Sequence, residues 1–251
     1  MPLRTITAYL TNSSPMDTLF DFFLEPYINA SAINISLEFT AALFGVISVF
    51  YAKKENILVF PTGIISTALY VYLLSQWNLY GDLIINIYYT LMSIYGWYMW
   101  SKIIDKEKNH IPISRTNTFD KLKTFGIFLF TSIFVIIVYR YYNVMPNQLG
   151  FYDSVNYAYT NMTSGNLEEF RKITPYLDTF TTGIFFAAMW LMANKKIENW
   201  IFWIAGNIVS IPLYFVKGYG FTGIQYTIFL ILAIQGYIAW KKSLDNKKPI
   251  L

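Results

Sequence analysis

The chain has 251 residues, 55% of them hydrophobic and only 14% charged, with a formal net charge of +4. A water-soluble domain of this length needs a more polar surface than that composition leaves, so lipid is the expected solvent. The absence of Cys excludes disulfides and thiolate metal sites.

Residues 1–35 form an N-terminal segment. Arg4 is an isolated charge and Thr5 to Leu10 is too short for the apolar core of a cleaved signal. Between 17 and 30, Leu19, Phe20, Phe22 and Phe23 are interleaved with Asp17, Asp21 and Glu25, which reads as a short helix lying in the membrane interface. Seven apolar runs near the ~20 residues that cross a bilayer follow, at 36–52, 57–75, 81–100, 123–142, 177–193, 199–216 and 220–240. The short connections Gln76 to Tyr80 and Lys217 to Tyr219 make their flanking helices antiparallel neighbours. Pro61 and Pro212 are expected to kink the second helix of each half.

The organisation is then residues 36–101 as a first three-helix unit and 102–142 as a basic loop plus a linker helix. An outer loop at 143–176, a second three-helix unit at 177–242 and a tail at 243–251 complete it. The outer loop is polar and poor in aliphatic residues, with a short helix expected near Leu167 to Lys172. Placing the N-terminus outside and the C-terminus inside puts fourteen of the nineteen basic residues on the inner side, as the positive-inside rule requires.

The two units repeat. Gly96 to Trp100 (GWYMW) and Gly236 to Trp240 (GYIAW) are 140 residues apart, and each runs straight into lysine. The same offset pairs Glu38 with Asp178 and Asn86 with Tyr226. An odd linker helix lets both copies keep one direction across the membrane. The expected fold is therefore an all-α integral membrane protein with seven transmembrane helices in a 3+1+3 parallel-repeat, SWEET-like arrangement.

Polar residues inside the bilayer need partners. Trp200, Trp203 and Asn207 are spaced i, i+3 and i+7, on one face of the sixth span beside Gly206. Asn86, Tyr89 and Ser93 share a face of the third span, and Thr222, Gln225 and Tyr226 open the seventh. Such residues serve either as glue between helices or as ligand contacts, and the residues alone leave both readings open. Trp97, Trp100 and Trp240, at span ends next to lysines, read as interfacial anchors, and Trp200 could be one too. No charged residue falls near a predicted span midpoint, which favours an uncoupled facilitator over an ion-driven pump. The single His110 stands in a charged loop, and no Ser/His/Asp or metal-spaced set is evident, so neither an enzyme nor a metal or cofactor is expected.

The run from Glu198 to Asn207 (ENWIFWIAGN) resembles the W-x-x-W-x-x-x-N signature of the PnuC family of bacterial vitamin transporters. Tyr80, Gly81 and Asp82, and Ile94 to Trp100 (IYGWYMW), resemble that family's third helix. Glu38 and Asp178 stand where acids recur in its members. Asn86 takes a place that is Gln in some of them, and Gln225 one that can be Glu. The resemblance covers 36 to 242 apart from the outer loop. It implies uptake of nicotinamide riboside by facilitated diffusion across the bacterial inner membrane, with phosphorylation inside the cell trapping the substrate. Thiamine, also a cationic ring, is the alternative. The implied site has Trp200 and Trp203 stacking on the pyridinium, with Asn207, Asn86 and Gln225 bonding its amide and ribose hydroxyls. Tyr89, Tyr226, Glu38 and Asp178 complete it. Implied partners are the small-molecule substrate and the bilayer, with no nucleic acid; a homo-oligomer stays open.

Overall fold

A computed structural model of the protein describes residues 31–76, 80–102, 111–146, 148–217 and 219–246. The expected interfacial helix at 17–30 and the loop around His110 lie outside them. Among the described residues the secondary structure is helical: α1 (Ala32–Lys53), α2 (Val59–Gln76), α3 (Tyr80–Ser101), α4 (Thr118–Tyr141), α5 (Phe151–Thr163), α6 (Leu167–Lys172), α7 (Thr174–Ala193), α8 (Asn199–Val216) and α9 (Gly220–Asn246). The sole extended pairing among them is a bridge between Ser114 and Lys196.

Local signals place the ends. Ser31 caps α1 by accepting from the Asn34 amide, and Asn117 and Asp120 form a reciprocal capping box that starts α4. Pro61 is the third residue of α2, where its missing N–H would be unpaired anyway, so the kink expected there is not required. Pro212 does lie inside α8. The short helix at Leu167–Lys172 forms as expected, whereas α5, thirteen residues within the same loop, was not anticipated.

By length and composition, α1, α2, α4, α8 and α9 can each cross a membrane. α3 and α7 are as long but carry more polar side chains, such as Asn86 and Thr90 on α3 and Thr181 and Thr182 on α7. A helix packed among protein neighbours can carry such groups, and α7 is the most buried of the long helices, set against α3, α4 and α8.

Six long helices close a ring in the order α1, α2, α3, α7, α8, α9 and back to α1, and α4 lies against α7. Contacts around the ring recur at the 140-residue offset. The Trp100 indole donates to the carbonyl of Met192 at 3.2 Å, and that of Trp240 to the carbonyl of Ala52 at 3.0 Å. A Cβ on Gly96 would collide with the ring of Phe60, and one on Gly236 would come within 2.5 Å of Trp200. The turns that follow α1 and α7 use the left-handed region at Glu55 (φ 56°) and Lys195 (φ 50°), and these two residues pair across the ring at 2.9 Å.

Trp100 and Trp240 are therefore not exposed interfacial anchors. At 3% and 1% exposure they form the core of the basic end, with Phe60, Trp200 and Ile197. A position at a span end beside lysine is that of an anchor, and only closure of the ring brings the Trp100 indole to Met192 and that of Trp240 to Ala52. Trp97, 43% exposed, keeps an outward position.

Candidate functional site

A file of aromatic rings runs through the ring of helices from the end opposite that tryptophan cluster. At its mouth, Lys217, which follows α8, donates to both carboxylate oxygens of Asp178 on α7, at 2.6 and 2.5 Å. The same ammonium lies 5.6 Å from the centre of the Tyr214 ring. Tyr214 stacks on Tyr226 of α9 (4.8 Å, 26°), and Tyr226 is 6.0 Å from Phe185 of α7. Phe185 stacks on Trp203 of α8 (5.4 Å, 27°), and Trp203 is 6.3 Å from Tyr89 of α3. Beyond Tyr89, Tyr88 and Phe186 stack face to face at 3.7 Å, and the Tyr88 hydroxyl donates to the Phe186 carbonyl.

The backbone makes this file possible at Gly206. Phe185 occupies the space that a Cβ there would need, so its ring lies directly on α8 beside Trp203. One turn on from Trp203, the polar side chain of Asn207 is carried at 2% exposure. Tyr219, at the mouth between α8 and α9, has its phenol raised above the ordinary range, by desolvation first and the Asp82 carboxylate second.

Of the residues expected at a site, the structure brings together Trp203, Tyr89 and Tyr226, with Asn207 adjacent on α8. Trp200 stands apart in the basic-end core, perpendicular to Trp240 at 5.6 Å, with its indole N–H unpaired among the described residues. Asn86 donates to the carbonyl of Asp82 in its own helix, leaving its amide oxygen uncommitted to that bond. Gln225 is half-buried beside Gly45 of α1, and Glu38 is half-buried in the second turn of α1. Asp178 is held by Lys217 at the mouth. Phe185, Tyr214 and Lys217 were missed. Their helical spacing gives no sign of them, although Tyr214 belongs to the second helix of the repeat and Phe185 falls 140 residues after Gly45.

A small cleft between α3, α4 and α7 is lined mainly by apolar side chains, among them Ile85, Phe134 and Val138, together with Thr131, Tyr139 and Thr182.

A family model described as nicotinamide mononucleotide transporter matches residues 35–242. The chain belongs to this family. A relative from Escherichia coli (strain K12), named nicotinamide riboside transporter PnuC, is 23% identical over 226 residues, covering 86% of this chain and 90% of its own length. Another so named, from Neisseria mucosa, is 25% identical, covering 80% and 70%. A riboflavin/roseoflavin transporter RibM from Streptomyces davaonensis is 31% identical, over only 31% of this chain and 37% of its own. The crystal structure of the vitamin B3 transporter PnuC matches with a TM-score of 0.60 at 20% identity, covering 94% of this chain and 95% of that one, which establishes the fold. This member of the nicotinamide mononucleotide transporter family is thus an all-helical, multi-pass membrane protein, and its aromatic file lies within the six-helix ring that the family match spans.

Proposed function

We propose that the protein carries nicotinamide riboside across the bacterial inner membrane by facilitated diffusion, through the aromatic file. On this reading α1–α3 and α7–α9 are two parallel repeats, residues 36–101 and 177–242, joined by α4 in a 3+1+3 plan of seven spans. The recurrence of the tryptophan and glycine contacts at one offset supports it. The excess of lysine at the α1–α2 and α7–α8 turns supports an inward C-terminus and an outward 143–176 segment.

The observation that carries the substrate reading is the run of stacked rings with the buried Asn207 one turn from Trp203. Phe185, Trp203 and Tyr226 offer π faces to a pyridinium, worth ~2 kcal/mol or more for a desolvated cation. Asn207 offers both a donor and an acceptor to a carboxamide or ribose, with Asn86 and Gln225 as further candidates. The relatives named nicotinamide riboside transporter fit this chemistry. The family description names the mononucleotide, whose phosphate would need a compensating cation. Lys217, the cation at this mouth, is already matched by Asp178. A facilitator needs no charged relay at mid-depth, and phosphorylation inside the cell would hold the product.

Calorimetric binding to the purified protein across nicotinamide riboside, its mononucleotide, thiamine and riboflavin tests the reading. Nicotinamide riboside is expected to bind at least tenfold more tightly than the mononucleotide. Equal or tighter binding of the mononucleotide overturns the substrate assignment, and preference for thiamine reassigns the site to another cationic vitamin.

A further inference from the structure

The surface of α5 is built against the rule for a loop in water. It buries Ser154 and Asn161 and exposes Phe151 (87%) and Tyr152 (81%), together with Val155, Tyr159 and Met162. At ~100° per residue the thirteen residues divide into three sectors of roughly equal width. Phe151, Met162, Val155, Tyr159 and Tyr152 make an exposed apolar sector. Asp153, Asn156, Thr160 and Thr163 make an exposed polar one beside it. Ser154, Asn161, Tyr157 and Ala158 make the third, which faces protein: the Tyr157 ring is 6.3 Å from Tyr176 of α7, and Ser154 and Asn161 are buried.

A helix with one side on protein needs only two sectors if a single solvent covers the rest. Three sectors mean that it meets two solvents. Its anchorage says which two. Arg140, in the last turn of α4, donates to the carbonyl of Leu149 at 2.9 Å and lies 3.0 Å from the Ser154 hydroxyl. That fixes the start of α5 at the end of a helix whose outer face, with Phe125, Phe130, Ile137 and Tyr141, is exposed and apolar as lipid contact demands. We propose that α5 lies flat at the membrane boundary, its Phe151–Tyr152–Val155–Tyr159–Met162 sector inserted at the level of the lipid headgroups and its Asn156–Thr160 sector in water. Tyr at that level is in its favoured place. α5 contains no Lys or Arg, so binding rests on apolar burial and needs no anionic lipid, unlike that of basic amphipathic helices.

The chain has no Cys, so single cysteines report cleanly. Spin labels at Val155 and Met162, at Asn156 and Thr160, and at Ala158 would be read in the full chain in phosphatidylcholine nanodiscs. Collisions with oxygen and with a water-soluble nickel chelate give the environment of each. Labels at 155 and 162 are expected to meet oxygen several-fold more than nickel, those at 156 and 160 the reverse, and the label at 158 neither. If labelling at 155 or 162 disturbs the melting midpoint, Tyr159 replaces that position in the same sector. Nickel access at 155 and 162 equal to that at 156 and 160 would put the face in water. Protection from both reagents would put a second copy or another protein over it. Either result overturns the proposal.

Discussion

On α8, Trp200 and Trp203 are a single turn apart yet meet different surroundings. Trp200 fills the basic-end core against Trp240 and Gly236, while Trp203 stacks on Phe185 and approaches Tyr89. Their substitutions should separate accordingly. Trp203→Ala removes an aromatic partner of a cation and should weaken nicotinamide riboside binding by about 1–2 kcal/mol, roughly tenfold or more, with a modest change in melting. Asn207→Leu, of similar volume, should also lose affinity in a protein that still folds. Trp200→Ala empties a core site, a class of change that costs ~3–5 kcal/mol. It should lower the melting midpoint by many degrees while the folded fraction binds as the parent does. Calorimetry beside thermal melting distinguishes these outcomes; the opposite assignment of affinity and stability losses would move the site to the basic end. The shared face of Trp200, Trp203 and Asn207 is legible in their spacing. That spacing is silent on what each residue meets, because Gly206 and Gly236 admit one ring from α7 and set another against α9.

Between elements, the pair of left-handed turns at Glu55 and Lys195 ties the two three-helix groups together at the basic end. The Lys195 ammonium is 2.9 Å from Glu55 and 4.6 Å from the centre of the Trp100 ring. Breaking a fully buried ion pair costs ~3–5 kcal/mol; Glu55 keeps 26% of its side chain exposed, so the loss here should be smaller. Glu55→Gln is expected to lower the melting midpoint by a few degrees. The exchange Glu55→Lys with Lys195→Glu should recover part of what Glu55→Lys alone loses; no recovery would mean that the two residues do not support each other. Long helices were legible because apolar runs of membrane length are hard to build by chance, and five of those described can cross a membrane by length and composition; the GWYMW and GYIAW runs pointed to the offset at which the Trp100 and Trp240 bonds recur. α5 was not legible. Its polar and aromatic residues are spread over three sectors, so no single apolar stripe marks it in the sequence. The role of Lys195 was hidden as well, since its partner is 140 residues away and the sequence offered it only as one more basic residue at a membrane edge.

For the molecule as a whole, the proposed route through the ring has ends that differ. The basic end is closed by Trp100, Trp240 and Trp200, and the other carries the Asp178–Lys217 pair above Tyr214 and Tyr226. Along the file between them the side chains are aromatic or neutral, as the proposed uncoupled transport requires. If α1–α3 and α7–α9 are parallel repeats as proposed, the matched contacts at the closed end make a seam about which they could rock. The direct test is uptake of labelled nicotinamide riboside into proteoliposomes with the membrane potential clamped at zero. Protein-dependent uptake should stop when inner and outer concentrations are equal, be unmoved by an imposed proton or sodium gradient, and be accelerated by unlabelled substrate inside. Accumulation above equality driven by either gradient, or no protein-dependent uptake by a folded preparation, would contradict it.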